Sequence, residues 1–175
     1  MYGESFLQPI PLSSDRWQTE ELVIDLGRFT CGNSRLGKPI DSQDFFAPYL
    51  VKTDVFKNEG EGFEIGTKDL VFDYLYLKIG DFEGEYLYHG KPVALSRATT
   101  LVEIQSLFGE PYWIDSSDRE RIAFYEYEAG RIELQFEFPE GKNLEIITLL
   151  RDGVLSDPSD RRSYGVTAPW PPLDR

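Results

Sequence analysis

The clearest pattern in the chain is the strict alternation over residues 131–138, where Ile132, Leu134, Phe136 and Phe138 share one side and Arg131, Glu133, Gln135 and Glu137 the other. A two-residue period of this kind predicts a half-buried antiparallel strand with its polar side in water. Strand-like runs at 121–127 and 143–149, set off by Ala129 and Gly130 and by the turn 139–142, extend it into a meander. Ahead of the meander, Leu101, Ile104, Leu107 and Phe108 recur at helical spacing. Thr100 and Glu103 form the two ends of a capping box in front of them, and Gly109 followed by Pro111 stops the helix.

The first half repeats this scheme faintly. Ser34-Arg35 and Pro48-Tyr49 recur as Ser96-Arg97 and Pro111-Tyr112. Asp41 is placed to cap a short helix over 42–47, with Phe45 and Phe46 as its apolar side and Pro48 as its limit. Residues 21–29 alternate as a strand, 31–40 and 51–69 read as loops, and strand-like runs follow at 62–65, 70–79 and 83–88 before a turn at His89 and Gly90. The expected architecture is α+β, with two related helix-plus-antiparallel-sheet units in tandem. A leader covers 1–20, the units span 21–90 and 91–150, and 151–175 reads as an extended, Pro-rich tail.

Composition narrows the function. With 41% hydrophobic residues the chain falls in the globular class, and 12 Phe and 10 Tyr against a single Met favour sheets. The 31 acidic and 18 basic residues give a net charge of −13, which repels nucleic-acid phosphates and anionic membranes and attracts a basic protein. One cysteine, Cys31, excludes an intrachain disulfide, and with the one histidine, His89, it falls short of a zinc site, so no metal or cofactor is expected. The opening residues carry Glu4 and Asp15 without a long apolar core and do not read as a signal peptide. No run approaches the ~20 apolar residues that span a bilayer. A cytoplasmic, reducing setting is expected.

The run Ser96-Arg-x-Thr-Thr-Leu-x-Glu-Ile-x-x-Leu-Phe-Gly-Glu-Pro111 resembles the entry sequence of the small SmpA/OmlA outer-membrane lipoproteins and of the beta-lactamase inhibitor protein. The resemblance covers 95–149. It implies a threonine-capped helix packed on an antiparallel sheet, a tandem arrangement of two such units, and target binding through a concave sheet face.

Candidate chemistry is sparse. Gly32 to Lys38 fits the first seven positions of a P-loop, but Pro39 stands where a magnesium-binding Ser or Thr belongs, which leaves a plain Gly-rich loop. Cys31 with His89 is a possible nucleophile and base. Asp115 with Asp118 and Glu126 with Glu128 are acidic pairs of the kind that chance supplies in so acidic a chain. More distinctive are tyrosines paired at period two: Tyr74 and Tyr76, Tyr86 and Tyr88, Tyr125 and Tyr127. On one sheet face they would form an aromatic stripe edged by Glu85, Glu133 and Glu137. The expected function is a non-catalytic module of bacterial immunity or inhibitor type, binding a basic protein partner through that stripe. Two alternatives stay open: a small-ligand-binding or hydrolase-type enzyme with a pocket between the units, and a structural or assembly factor.

Overall fold

In the computed structural model, which describes residues 21–117, 119–140 and 142–173, the β-rich runs assemble into two sheets beside three short helices. The leader expected at 1–20 lies outside the described residues. The smaller sheet joins β1 (Val23–Asp25), β2 (Thr30–Cys31), β3 (Ser34–Arg35), β7 (Glu85–Tyr88) and β8 (Lys91–Pro92) in the order β3-β2-β1-β7-β8. Its β1–β7 pairing is parallel. The larger sheet is antiparallel and contains β4 (Val55–Asn58), β5 (Phe63–Lys68), β6 (Val71–Lys78), β9 (Trp113–Ser116), β10 (Glu120–Tyr127), β11 (Ile132–Pro139) and β12 (Ile146–Arg151). Its order is β4-β5-β6-β12-β11-β10-β9, so the meander from each half of the chain ends at the centre, where β6 pairs with β12.

Register explains the core. Leu75, Leu149, Leu134 and Tyr125 lie in one cross-strand row, and Leu77, Ile147, Phe136 and Ala123 in the next. This inner face packs against Ile24 and Leu26 of the small sheet, Leu50 of α1 (Ala47–Thr53), and Ile104 and Phe108 of α2 (Leu101–Phe108), in a single apolar cluster drawn from both halves. The capping box read for α2 holds, the Thr100 hydroxyl accepting from the Glu103 amide and the Glu103 carboxylate from the Thr100 amide, but Leu107, read onto the helix's apolar side, is exposed while Ile104 and Phe108 are buried. The inward facing of Ile132, Leu134, Phe136 and Phe138 holds as well, each being at most 3% exposed.

Four expectations are corrected. Pro48 does not end a helix over 42–47; it lies in the first turn of α1, where a proline lacks no needed partner and its fixed φ suits helix entry. Pro111 lies beyond the end of α2, so the two prolines do not mark equivalent exits. Residues 51–69 are not loop, because α1 runs on to Thr53 and both β4 and β5 fall there. The segment after Arg151 is not an extended tail. It forms a 3-10 turn (Val154–Ser156) and α3 (Pro158–Ser163), capped by the Asp157 carboxylate, which accepts from the Ser159 and Asp160 amides. Leu155, Tyr164, Val166 and Trp170 from this segment cover Ile122, Phe124 and Trp113 on the outer face of β9 and β10.

Candidate functional site

The tyrosine pairs do not share a surface. Tyr74 and Tyr76 lie on the outer face of the large sheet, opposite Leu150 and Thr148. Tyr125 and Tyr127 lie on the inner face, opposite Leu134 and Ile132; Tyr125 is 2% exposed and its hydroxyl donates to the Gly109 carbonyl at 2.8 Å. Tyr86 belongs to the small sheet and is 6% exposed, and Tyr88 next to it packs its ring against those of His89 and Phe108. The single stripe is therefore corrected. A two-residue spacing puts both members of a pair on one face, but only cross-strand register decides which face that is. Glu133, expected at the stripe's rim, is wholly buried, and Glu137 is half-buried.

What remains on the outer face is a strip across β5, β6, β12 and β11. Among the described residues, neither apolar cluster covers it. Tyr74 lies over Gly66, its cross-strand partner, in space that a Cβ would take, and its hydroxyl donates to Glu64 Oε1 at 2.6 Å. Burial first, then Glu64, raises the Tyr74 phenol pKa. Burial and then the Glu137 charge raise that of Tyr76. The Glu137 carboxyl is itself pushed up by burial and by Glu120, against a hydrogen bond from the Thr148 hydroxyl. The strip thus sets aromatic rings among carboxyls, with Lys57 3.7 Å from Glu64, and Tyr74 at its centre is held by its hydrogen bond to Glu64.

On the same face, under the C-terminal segment, two glutamates sit directly opposite each other: Glu126 on β10 and Glu133 on β11. Glu133 accepts from the amides of Val154 at 3.1 Å and Leu155 at 2.9 Å and from the Gln135 side chain, and so pins the 3-10 turn to the sheet. Gly153 allows this approach, since a Cβ there would collide with Glu133. Glu126 is 6% exposed, and among the described residues no group donates a hydrogen bond to either of its oxygens. Its pKa is pushed up to about 10, first by burial and then by the Glu133 carboxyl beside it, with the Arg161 charge pulling the other way. Two carboxyls facing each other in low dielectric do not both ionise, and Glu126 is the one that holds a proton.

Where β9 ends, β10 runs on. The last β9–β10 contacts are the Trp113–Phe124 pair and the Tyr112 amide donating to the Phe124 carbonyl. Beyond them a cavity of about 250 Å³ lies over the β10 edge, lined by Tyr88 and His89 from one half of the chain and by Phe108, Tyr112, Tyr125, Glu126 and Tyr127 from the other. Of these residues the sequence had singled out Tyr88, Tyr125 and Tyr127 as interface, His89 as a base for Cys31, and Glu126 as half of a chance pair with Glu128. Glu128 is in fact exposed and ion-paired with Arg35 at 2.8 Å. The available signal was a carboxylate between Tyr125 and Tyr127, directly after the run Ile122 to Tyr125.

The remaining candidates do not build a site. The Gly32–Lys38 loop folds as a hairpin around the chain's own Asp44, whose carboxylate accepts from the Asn33 amide at 2.9 Å and from the Ser34 hydroxyl. Cys31 is fully buried, with its thiol pKa pushed up by burial and by Asp44, while His89 is exposed at the end of β7; β1 lies between their strands. Asp118 lies outside the described residues. Among the described residues, no cluster of three or more His, Cys, Asp or Glu is placed to hold a metal, and no helix is long and apolar enough to cross a membrane. Comparison with protein-family models, curated proteins and solved structures returns no match.

Proposed function

We propose that the protein is a non-catalytic protein-binding module of the immunity or inhibitor type, and that it engages a basic protein through the outer strip of the large sheet. The observation that carries this reading is the division of that face: one half lies under the C-terminal segment, and the other presents Tyr74 and Tyr76 among Glu64, Glu137 and Thr148. Tyrosine combines apolar area with a polar tip and suits the centre of an interface. A net charge of −13 steers a basic partner toward it. The β4–β6 and β9–β12 meanders meet where β6 pairs with β12 and form one broad sheet on which such a strip can lie. The resemblance of 95–149 to the lipoprotein and inhibitor pattern points the same way, toward recognition by a sheet face in place of a catalytic cleft. Of the tyrosines first considered for this role, only Tyr74 and Tyr76 are kept in it.

The test is quantitative binding to a partner captured on the immobilised protein. Substituting both Tyr74 and Tyr76 by Ala is expected to weaken the complex by about 2 kcal/mol or more, since central aromatic anchors carry most of an interface's energy. Charge reversal at Glu64 and Glu137 is expected to slow association and flatten its salt dependence. Unchanged affinity in the double tyrosine variant rejects the strip as the contact surface.

A further inference from the structure

The Gly-rich loop 32–38 brings two cations to a place where two more converge. At one end of the large sheet this loop meets the β10–β11 turn and the end of β12 around a cavity of about 260 Å³. Arg35 and Lys38 line it from the loop, and Arg131 and Arg151 from the sheet. We propose that this cavity is an anion site, and that its ligand is a phosphate group, free or as a monoester.

Charge is the first argument. The chain has 18 basic residues against 31 acidic ones, and four of the 18 line this one cavity. Like charges brought together repel one another, and an anion between them relieves that repulsion. The neighbouring carboxylates meet only part of this demand. Glu128 pairs with Arg35 at 2.8 Å and Asp73 with Arg151 at 2.7 Å, while Asp152 stands 4.0 Å from the Arg151 guanidinium. Among the described residues, neither Lys38 nor Arg131 has a carboxylate partner, and both side chains are exposed. Two cations without partners suit a dianion.

The donors point the same way. Arg35 donates through Nη2 to Glu128, Arg131 through Nε to the Glu128 carbonyl, and Arg151 through Nε to Asp73. A guanidinium carries five N–H donors in a plane, so each arginine keeps donors for a ligand after these bonds have fixed its place. Gly37 adopts φ +75° and sends no side chain toward Arg151, whose Cδ lies 3.7 Å from where a Cβ would be. The Leu36, Gly37 and Lys38 amides donate to the Phe29, Phe72 and Arg35 carbonyls. In a P-loop the amides hold the phosphate. Here side chains must do so, and Pro39 is no obstacle to that. The oxygens of a tetrahedral phosphate accept from several directions, which suits cations arriving from two sides of a cavity.

Backbone-amide chemical shifts of the full, isotope-labelled chain test this at about pH 7.5, where phosphate is largely dianionic. The probes are inorganic phosphate and a phosphoserine tripeptide with blocked ends, with acetate as the monoanionic control and sodium chloride holding the ionic strength constant. Saturable shifts at Gly37, Lys38, Arg131 and Asp152 are expected, with a dissociation constant below about 20 mM for at least one phosphate and binding of acetate at least about tenfold weaker. Substituting both Lys38 and Arg131 by Gln is expected to weaken phosphate at least about tenfold while the rest of the spectrum stays unchanged. Asp152→Asn removes an opposing charge at a residue whose φ of 51° asparagine tolerates, and is expected to tighten phosphate several-fold. Tighter binding of the tripeptide than of phosphate identifies a phosphorylated protein side chain as the source, and equal or weaker binding identifies a free phosphate compound. No saturable shift, shifts centred away from these residues, equal affinity for acetate, or full affinity in the folded double variant overturns the proposal.

Discussion

Glu126→Gln should stabilise the protein, and increasingly so as the pH rises. In the unfolded chain this carboxyl titrates near 4.5, whereas in the folded protein burial and Glu133 push it up to about 10. Between those values the folded state holds one proton more than the unfolded state. Stability from this group is therefore complete below pH ~4.5 and is lost as pH rises through ~10, the folding constant falling up to tenfold per unit. From about pH 5 to about pH 8 the loss is on the order of 4 kcal/mol, a large part of the 5–15 kcal/mol that a domain typically has. Glutamine has nearly the same shape, does not titrate, and donates an N–H toward Glu133 where the protonated acid offered its O–H. Urea unfolding of parent and variant at unit steps across this range measures the difference directly. Glu137, also raised, contributes a slope of the same sign to both proteins and cancels in the comparison. Parallel stability curves would refute the reasoning, because they would mean that Glu126 is ionised in the folded protein or already open to water.

The partner of that pair should behave in the opposite way. Glu133→Ala leaves the Val154 and Leu155 amides without their acceptor, so a loss of about 3 kcal/mol is expected, with faster proteolytic cleavage within 153–173 than in the parent. Phe136→Ala opens a hole between Phe108 and Tyr125 at a wholly buried position and should cost about 3 to 5 kcal/mol in chemical denaturation. Thr100→Ala removes only the α2 cap and should cost about 1 kcal/mol by the same measurement.

How far the sequence could be read depended on how far apart the cooperating residues were. The α2 capping box and its Gly109 stop are local, set by residues within one turn of each other, and they were legible. So was the inner side of β11, because alternation reports a buried face directly. The outer side of the same strand misled: Glu133 and Gln135 read as solvated, yet they are 0% and 6% exposed, with residues 153–155 folded back over Glu133 and Gln135 donating to it. That cover comes from a segment whose Asp, Arg, Ser and Pro content looked like a tail, and its few apolar anchors, Leu155, Tyr164 and Trp170, are spaced too irregularly to show a period. Pro48 misled for a related reason, since a proline marks a helix boundary without saying which end it marks.

The division of the tyrosines follows from the same gap between spacing and register, and it changes what each pair can do. Residues two apart on a strand always face the same way, so Tyr74 and Tyr76 stand or fall together as a surface, and Tyr125 and Tyr127 as a lining. The residue between the second pair must then face the other way. In β10 that residue is Glu126, which is why a carboxyl ends up under the C-terminal segment with aromatic rings on the reverse of its strand. Because β9 stops at its pairing with Phe124 and Trp113, the β10 edge at Glu126 is left without a neighbouring strand among the described residues, and both faces reach one cavity. That carboxyl, held protonated by burial and by Glu133, is the one that weakens the fold as the pH rises. Glutamine at this position keeps the shape without the titration, so a gain in stability that grows with pH in Glu126→Gln, beside an unchanged acid limit, would mark the carboxyl itself as the source of that cost.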